Sequence, residues 1–118
     1  MVKNDSFKNK YSLQIRSSES KRIMEKYPDR RPIIVEKCIN SNIDEIDKKK
    51  YLVPMDISIG KFIYVIRKRM KLTPEKAIYV FIKNVIPPSA SLISSLYDSS
   101  ADVDGFLYIT FSAENTFG

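Results

Sequence analysis

Lys48-Lys49-Lys50-Tyr51-Leu52-Val53-Pro54-Met55-Asp56 reads as a short β-strand that no sheet interior would accept. Pro54 has no N–H for a ladder, which confines the strand to an edge. Three lysines precede it, the usual guard against unwanted pairing at such an edge. Tyr51, Leu52 and Val53 are nevertheless large, apolar and strand-favouring. Two readings follow: an ordinary protected edge, or a border where another chain adds a strand under charge control.

C-terminal to this stretch, Asp56 or Ser58 can cap a helix. Its apolar residues Ile59, Phe62, Ile63, Ile66 and Met70 fall on one face, with Lys61, Arg67, Lys68 and Lys71 opposite and Pro74 beyond the end. Ala77 to Ile82 is a near-continuous apolar run, expected as a strand buried on both faces and ended by Asn84 and Pro87-Pro88. Ser89 or Ser91 is the expected cap of a short helix reaching Tyr97, and Ser99, Ser100, Asp102 and Asp104 read as a solvated loop. Gly105 opens a last strand, with Leu107, Ile109 and Phe111 pointing one way and Phe106, Tyr108 and Thr110 the other.

N-terminal to the opening stretch, Ile43-Asp44-Glu45-Ile46 suggests a turn of helix. Arg31 to Cys38 is a strand; the consecutive Ile33, Ile34 and Val35 imply cover on both faces. Ser12 to Tyr27 reads as a helix with a thin apolar stripe, stopped by Pro28, and residues 5–11 as a shorter one. The order is helix-helix, strand-strand, helix, strand, helix, strand. A central helix on a small mixed sheet is the ubiquitin-like, β-grasp roll, an α+β fold. The two N-terminal helices are the spare elements available to cover the sheet's second face, where Phe106 and Tyr108 point.

Composition narrows the chemistry. With 118 residues, 43% of them hydrophobic, the chain is the size of one compact domain with a real core. No apolar run reaches membrane-spanning length, and no secretory leader is expected. There is no histidine and one cysteine, Cys38. Ser-His-Asp and Cys-His catalysis are thereby excluded and a zinc site is not credible. Cys38 reads as a small hydrophobe, and a lone cysteine fits a reducing compartment. Residues 1–76 hold 19 Lys/Arg and 10 Asp/Glu; residues 77–118 hold 1 and 4. The basic first two-thirds favours acidic partners. A nucleic-acid-binding module is one such reading, with Tyr51, Tyr27 and Phe7 as stacking candidates. No recognition motif accompanies it, and the aromatics are not interleaved with the basic clusters; no nucleic acid partner is expected.

Five blocks carry a resemblance. Tyr27-Pro28-Asp29-Arg30-Arg31-Pro32-Ile33-Ile34-Val35-Glu36-Lys37, Asp47-Lys48-Lys49-Lys50-Tyr51-Leu52-Val53-Pro54, Gly60-Lys61-Phe62, Ile66-Arg67-Lys68-Arg69 and Val85-Ile86-Pro87-Pro88-Ser89 resemble the GABARAP-type autophagy ubiquitin-like modifiers in order and spacing. The likeness runs from about Tyr27 to Gly118. It implies a two-helix extension over 1–28, a ubiquitin-like core over 29–111 and a conjugation tail over 112–118. The sequence departs from the family at Leu13-Gln14-Ile15-Arg16, where an acidic-basic pattern is usual.

The function this resemblance implies is that of a modifier, not an enzyme. Activating and conjugating enzymes would join Gly118, in the aromatic-glycine ending Phe117-Gly118, to phosphatidylethanolamine. A cysteine protease that reverses the step would contact Arg69. The expected location is cytoplasmic, then autophagosomal after lipidation; a non-conjugated peptide-binding adaptor is the alternative. Receptors with an aromatic-x-x-aliphatic motif would add a strand beside Lys50–Pro54. By the resemblance the aromatic pocket comprises Glu19, Ile23, Pro32, Ile34, Lys50, Leu52 and Phe106. The aliphatic pocket comprises Tyr51, Val53, Pro54, Ile57, Phe62 and Val65. Arg30, Lys48 and Lys50 would meet acidic flanks, and Tyr79, Val80 and Phe81 resemble a secondary docking surface, although a buried strand is the safer reading for those three. No cofactor or metal is expected.

Overall fold

The structure, a computed structural model, describes residues 6–115. Its elements are α1 (Phe7–Lys10), α2 (Leu13–Lys26), β1 (Arg30–Lys37), β2 (Lys50–Pro54), α3 (Ile59–Arg69), β3 (Tyr79–Phe81), α4 (Ile93–Ser100) and β4 (Leu107–Ser112). The strands form one mixed sheet in the order β2-β1-β4-β3. β1 and β4 are parallel at its centre, and β2 and β3 are antiparallel edges. This is the expected ubiquitin-like α+β architecture with its helical extension.

The alternation along each strand sorts the core into two layers. Ile33 and Val35 of β1, Leu107, Ile109 and Phe111 of β4, and Tyr51 and Val53 of β2 meet Ile59, Phe62 and Ile66 of α3. On the opposite face Ile34 and Phe106 pack with Phe7 of α1, and Tyr108 borders them. The three consecutive apolar residues of β1 are therefore all fully buried, each layer claiming its own. The N-terminal helices cover the second face, as apolar accounting requires.

Helix starts follow side-chain capping in three cases. The hydroxyls of Ser6, Ser12 and Ser58 accept from the N–H groups of Asn9, Ile15 and Lys61. α4 departs from expectation: neither Ser89 nor Ser91 caps it, and it runs on through Ser99 and Ser100. The reason lies in backbone bonding. The first N–H groups of α3, Ile59 and Gly60, donate to the carbonyls of Ser91 and Ser89 at 2.8 and 2.9 Å. Ile93 and Ser94 in turn donate to the carbonyls of Ile57 and Met55, both at 2.9 Å. Orphan donors of both helix starts are thus met by each other's leading segments. A Cβ at Gly60 would stand 3.0 Å from the Ser89 carbonyl oxygen, so a larger residue would have to push this close crossing apart by a few tenths of an ångström.

Three further expectations are corrected. Ile43–Ile46 is not helical. Both isoleucines reach the main core from an irregular loop. Side chains hold that loop: Ser41 Oγ accepts from the N–H groups of Ile43 and Ala113, and Glu45 Oε1 from those of Ile46 and Lys37. β3 is shorter than the apolar run, since Ala77 is exposed and only Tyr79–Phe81 pair with β4. Finally, Asp104 is not solvated but 1% exposed. It accepts from Arg16 Nη1 at 2.6 Å, from the Phe106 N–H at 2.9 Å and from the Tyr108 hydroxyl. Its neighbour Gly105 has φ +87°, and a Cβ there would lie 2.3 Å from Ser20 Oγ. A polar loop passing directly beneath α2 has to bury its carboxylate and lose its side chain at the tightest point.

Candidate functional site: the open border of β2

Among the described residues strand β2 has one neighbour, β1. The register pairs Tyr51 with Ile33 and Val53 with Arg31. The Val35 N–H donates to the Lys49 carbonyl at 2.7 Å, and the Met55 N–H to that of Asp29 at 3.1 Å. In an antiparallel pair the bonded positions alternate. Lys49, Tyr51, Val53 and Met55 therefore turn their backbone groups toward β1, while Lys50, Leu52 and Pro54 turn theirs outward. Pro54 puts its missing N–H on the open side, where a proline is tolerated. The free border offers two N–H donors, Lys50 and Leu52, and the carbonyls between and beside them.

The same alternation gives the border two flanks. Lys50 and Leu52 lie opposite Ile34 and Pro32, on the α2 side. There Leu52 is half-buried, Ile23 is half-buried, Pro32 is buried, and Ile34 and Phe106 have no exposure at all. Phe7 packs over Ile34 and Phe106 on this same face, its ring edge-on to Phe106 with centroids 5.1 Å apart. The Lys50 ammonium and the Glu19 carboxylate form an ion pair across the mouth. The ion pair and the register place Glu19, Lys50, Leu52, Pro32 and Ile34 on this flank, with Phe106 buried against Ile34 and Phe7, while Ile23 stands half-buried on α2 one turn after Glu19. Lys50 and Glu19 both keep solvent contact, so parting this gate costs about 1 kcal/mol or less.

On the α3 side Tyr51, Val53 and Phe62 are buried, with the Tyr51 and Phe62 rings edge-on at 5.3 Å. Ile57 packs against them and Val65 is exposed. Pro54 shares the parity of Leu52, so the register groups it with the α2 flank rather than with Tyr51 and Val53. A shallow depression lined by Asp47, Lys48, Tyr51, Val65, Lys68, Arg69 and Lys71 opens beside this flank.

The charged residues have distinct surroundings. The Lys48 ammonium sits 5.0 Å from the centre of the Tyr51 ring, and Arg30 is exposed at the start of β1. Arg69 donates through Nε and Nη2 to the two Asp47 carboxylate oxygens at 2.9 and 3.1 Å. Those bonds hold the Asp47 carboxyl below its ordinary value and raise that of Arg69. Burial pushes the Tyr51 phenol up, with the Arg69 charge opposing. The Tyr51 hydroxyl is buried with no hydrogen-bond partner among the described residues. β3, at the far edge, is three residues long, with Val80 and Phe81 buried and Tyr79 half-buried. Gly118 lies outside the described residues.

Two contributors escape a reading of the sequence. Phe7 packs on the α2 flank from 27 residues before Ile34, and Phe7 and Tyr11 in a polar tract do not say which residues they cover. Arg16 reaches Asp104 across 88 residues, within the very segment that departs from the family pattern. Among the described residues no group of acidic or cysteine side chains could hold a metal ion, and no helix is long and apolar enough to cross a membrane.

Comparison with known proteins agrees with this geometry. The family model described as "Autophagy protein Atg8 ubiquitin like" matches residues 15–118. The chain is 60% identical over 113 residues to autophagy-related protein 8A of Oryza sativa subsp. indica, covering 96% of this chain and 95% of that protein. It is 59% identical over 112 residues to autophagy-related protein 8 of Schizosaccharomyces pombe, covering 95% and 93%. The crystal structure of Trypanosoma brucei ATG8 superposes with a TM-score of 0.87 at 39% identity, over 93% of this chain and 95% of that one. Plasmodium falciparum Atg8 in complex with a Plasmodium falciparum Atg3 peptide gives 0.87 at 34% identity, over 94% and 98%. A sheet with one open, two-flanked border, a second face sealed by N-terminal helices and a family match over most of the length lead to one conclusion: the chain belongs to the Atg8 family of ubiquitin-like autophagy proteins.

Proposed function

We propose that this protein is a modifier joined through Gly118 to phosphatidylethanolamine, and that it then acts on the autophagosome membrane as an adaptor for peptides with an aromatic-x-x-aliphatic motif. The observation that carries the peptide half is the β2 border: two outward N–H donors between two apolar flanks. A visiting strand bonds to Lys50 and Leu52. Motif residues three apart have opposite parity, so the aromatic side chain turns toward Glu19, Ile23 and Leu52 and the aliphatic one toward Tyr51, Ile57 and Val65. The visitor runs parallel to β2, since the aromatic flank lies at the Lys50 end. Lys48 and Arg30 draw acidic flanking residues and act chiefly on encounter and selectivity. The Plasmodium relative's complex with an Atg3 peptide supports peptide binding as a property of this fold.

Conjugation is chemistry done by other proteins on this one. In activation the Gly118 carboxylate attacks the α-phosphorus of ATP and expels pyrophosphate, leaving an acyl-adenylate. A cysteine thiolate displaces AMP to give a thioester, and the lipid amine displaces the thiol to leave an amide. A terminal glycine presents an unhindered carbonyl to each attack. Arg69, exposed and held by Asp47, is the contact we assign to the deconjugating protease. The test incubates the protein with activating and conjugating enzymes, ATP and phosphatidylethanolamine liposomes. A lipidated species that forms with the full chain and not after deletion of Gly118 is the expected result. Membrane recruitment that survives the deletion would instead mark a non-conjugated adaptor.

A further inference from the structure

The side of α2 that faces the β2 border extends past the aromatic flank. Tyr11, just before the helix, and Gln14, Ile15, Ser18, Glu19 and Arg22 form one stripe, spaced three and four apart. Together with Lys50 they line a single depression. Two members are large apolar side chains left in solvent: Ile15 is 55% exposed and Tyr11 43%. Isolated exposed apolar residues need no explanation. These two share a concavity with the residues of the gate, which ties them to the groove.

The direction of α2 fixes what that concavity can receive. Met24 lies beside Arg31, and Glu19 pairs with Lys50, whose partner across the ladder is Ile34. Going back along α2 therefore advances along β1, so α2 runs parallel to β2. One step back by four residues, from Glu19 to Ile15, is about 6 Å. Two residues along a strand are about 6.6 Å. The stripe thus repeats in step with every second residue of a strand laid on β2. The side chain two places before the motif aromatic has the same parity, and it falls over Ile15 and Tyr11.

Resting on the strand-addition reading above, we propose that Tyr11 and Ile15 form a third subsite that takes an apolar side chain two residues before the aromatic. The preferred ligand is then apolar-x-aromatic-x-x-aliphatic. Acidic residues are favoured at the intervening and outer positions, whose parity turns them toward Lys48. An Ile or Leu at this place buries area against Ile15 and Tyr11 that an Ala leaves wet.

Two labelled peptides test this, identical in motif and acidic flanks and differing only in Leu or Ala at the position two before the aromatic. Their binding is measured by fluorescence anisotropy to the wild-type chain and to Ile15→Gln, a substitution on an exposed helical surface. The Leu peptide is expected to bind the wild type about five- to tenfold tighter than the Ala peptide. In Ile15→Gln that ratio should drop below about twofold, with the affinity for the Ala peptide little changed. Equal affinities for the wild type, or a preference that persists in Ile15→Gln, overturns the subsite while leaving the groove intact. If neither peptide binds the wild type, the groove reading fails and the subsite with it.

Discussion

Tyr51 carries its hydroxyl into the packing beneath β2, where it finds no hydrogen-bond partner among the described residues. A buried donor left unmade costs about 1–3 kcal/mol, and removing the whole group costs little when the ring stays. Tyr51→Phe should therefore leave urea stability unchanged or raise it by about 1 kcal/mol; a loss of that size would show that the hydroxyl is bonded after all. Tyr108 is the opposite case. Burial, and then its hydrogen bond to the Asp104 carboxylate, push its phenol well above the ordinary value of 10.0. A raised native pKa means that its stabilisation is complete below pH 10 and is lost as the pH climbs above it, because the unfolded chain releases the proton first. The stability difference between wild type and Tyr108→Phe should accordingly shrink between pH 9 and pH 11 in urea titrations. A difference that grows over that window would contradict the assignment.

Among the elements, α2 is held less by its apolar stripe than by polar bonds at its far side. Arg16 Nη1 meets Asp104, and Ser20 Oγ donates to the Asp104 carbonyl at 2.5 Å, so one loop residue receives two side chains of the helix. Lys8 of α1 adds an ion pair with Asp102, 2.7 Å long. Asp104→Ala would strand the Arg16 guanidinium, the Tyr108 hydroxyl and the Phe106 N–H together, and should cost more than about 3 kcal/mol. It should also open the α1–α2 segment to trypsin before the core unfolds; equal cleavage rates in mutant and wild type would refute this role. The contrast with β2 shows where sequence is informative. A proline, a lysine run and alternating apolar residues are local, and they suffice to place an edge strand and its two faces. The four strands, the central helix and the covering of the second face follow from the same kind of pattern. Asp104 read as solvated because the α2 residues that cover it, Arg16 and Ser20, stand 88 and 84 residues away, and Ile43–Ile46 read as helical because a spacing of three also suits a loop dipping twice into a core. The pocket residues follow from resemblance and the cover over Ile34 and Phe106 from apolar pattern, but nothing local tells that Phe7 is the side chain that seals them.

For the molecule as a whole, the sheet has two edges, and only one suits a guest. β3 is three residues long. It ends in a turn whose Lys83 and Asn84 both have positive φ, 51° and 66°. β2 is five residues long, with α2 and α3 standing on either side as walls. Peptide capture there need not disturb the core, since the residues that turn outward at the border already lack partners in the ladder. Amide hydrogen exchange read residue by residue tests that most directly. In the free protein the Tyr51 and Val53 amides should exchange slowly and those of Lys50 and Leu52 fast. Saturating aromatic-x-x-aliphatic peptide should slow Leu52, and Lys50 with it, while Tyr51 and Val53 keep their protection. A Leu52 amide already protected in the free protein, or one left fast when the peptide is bound, would contradict the account.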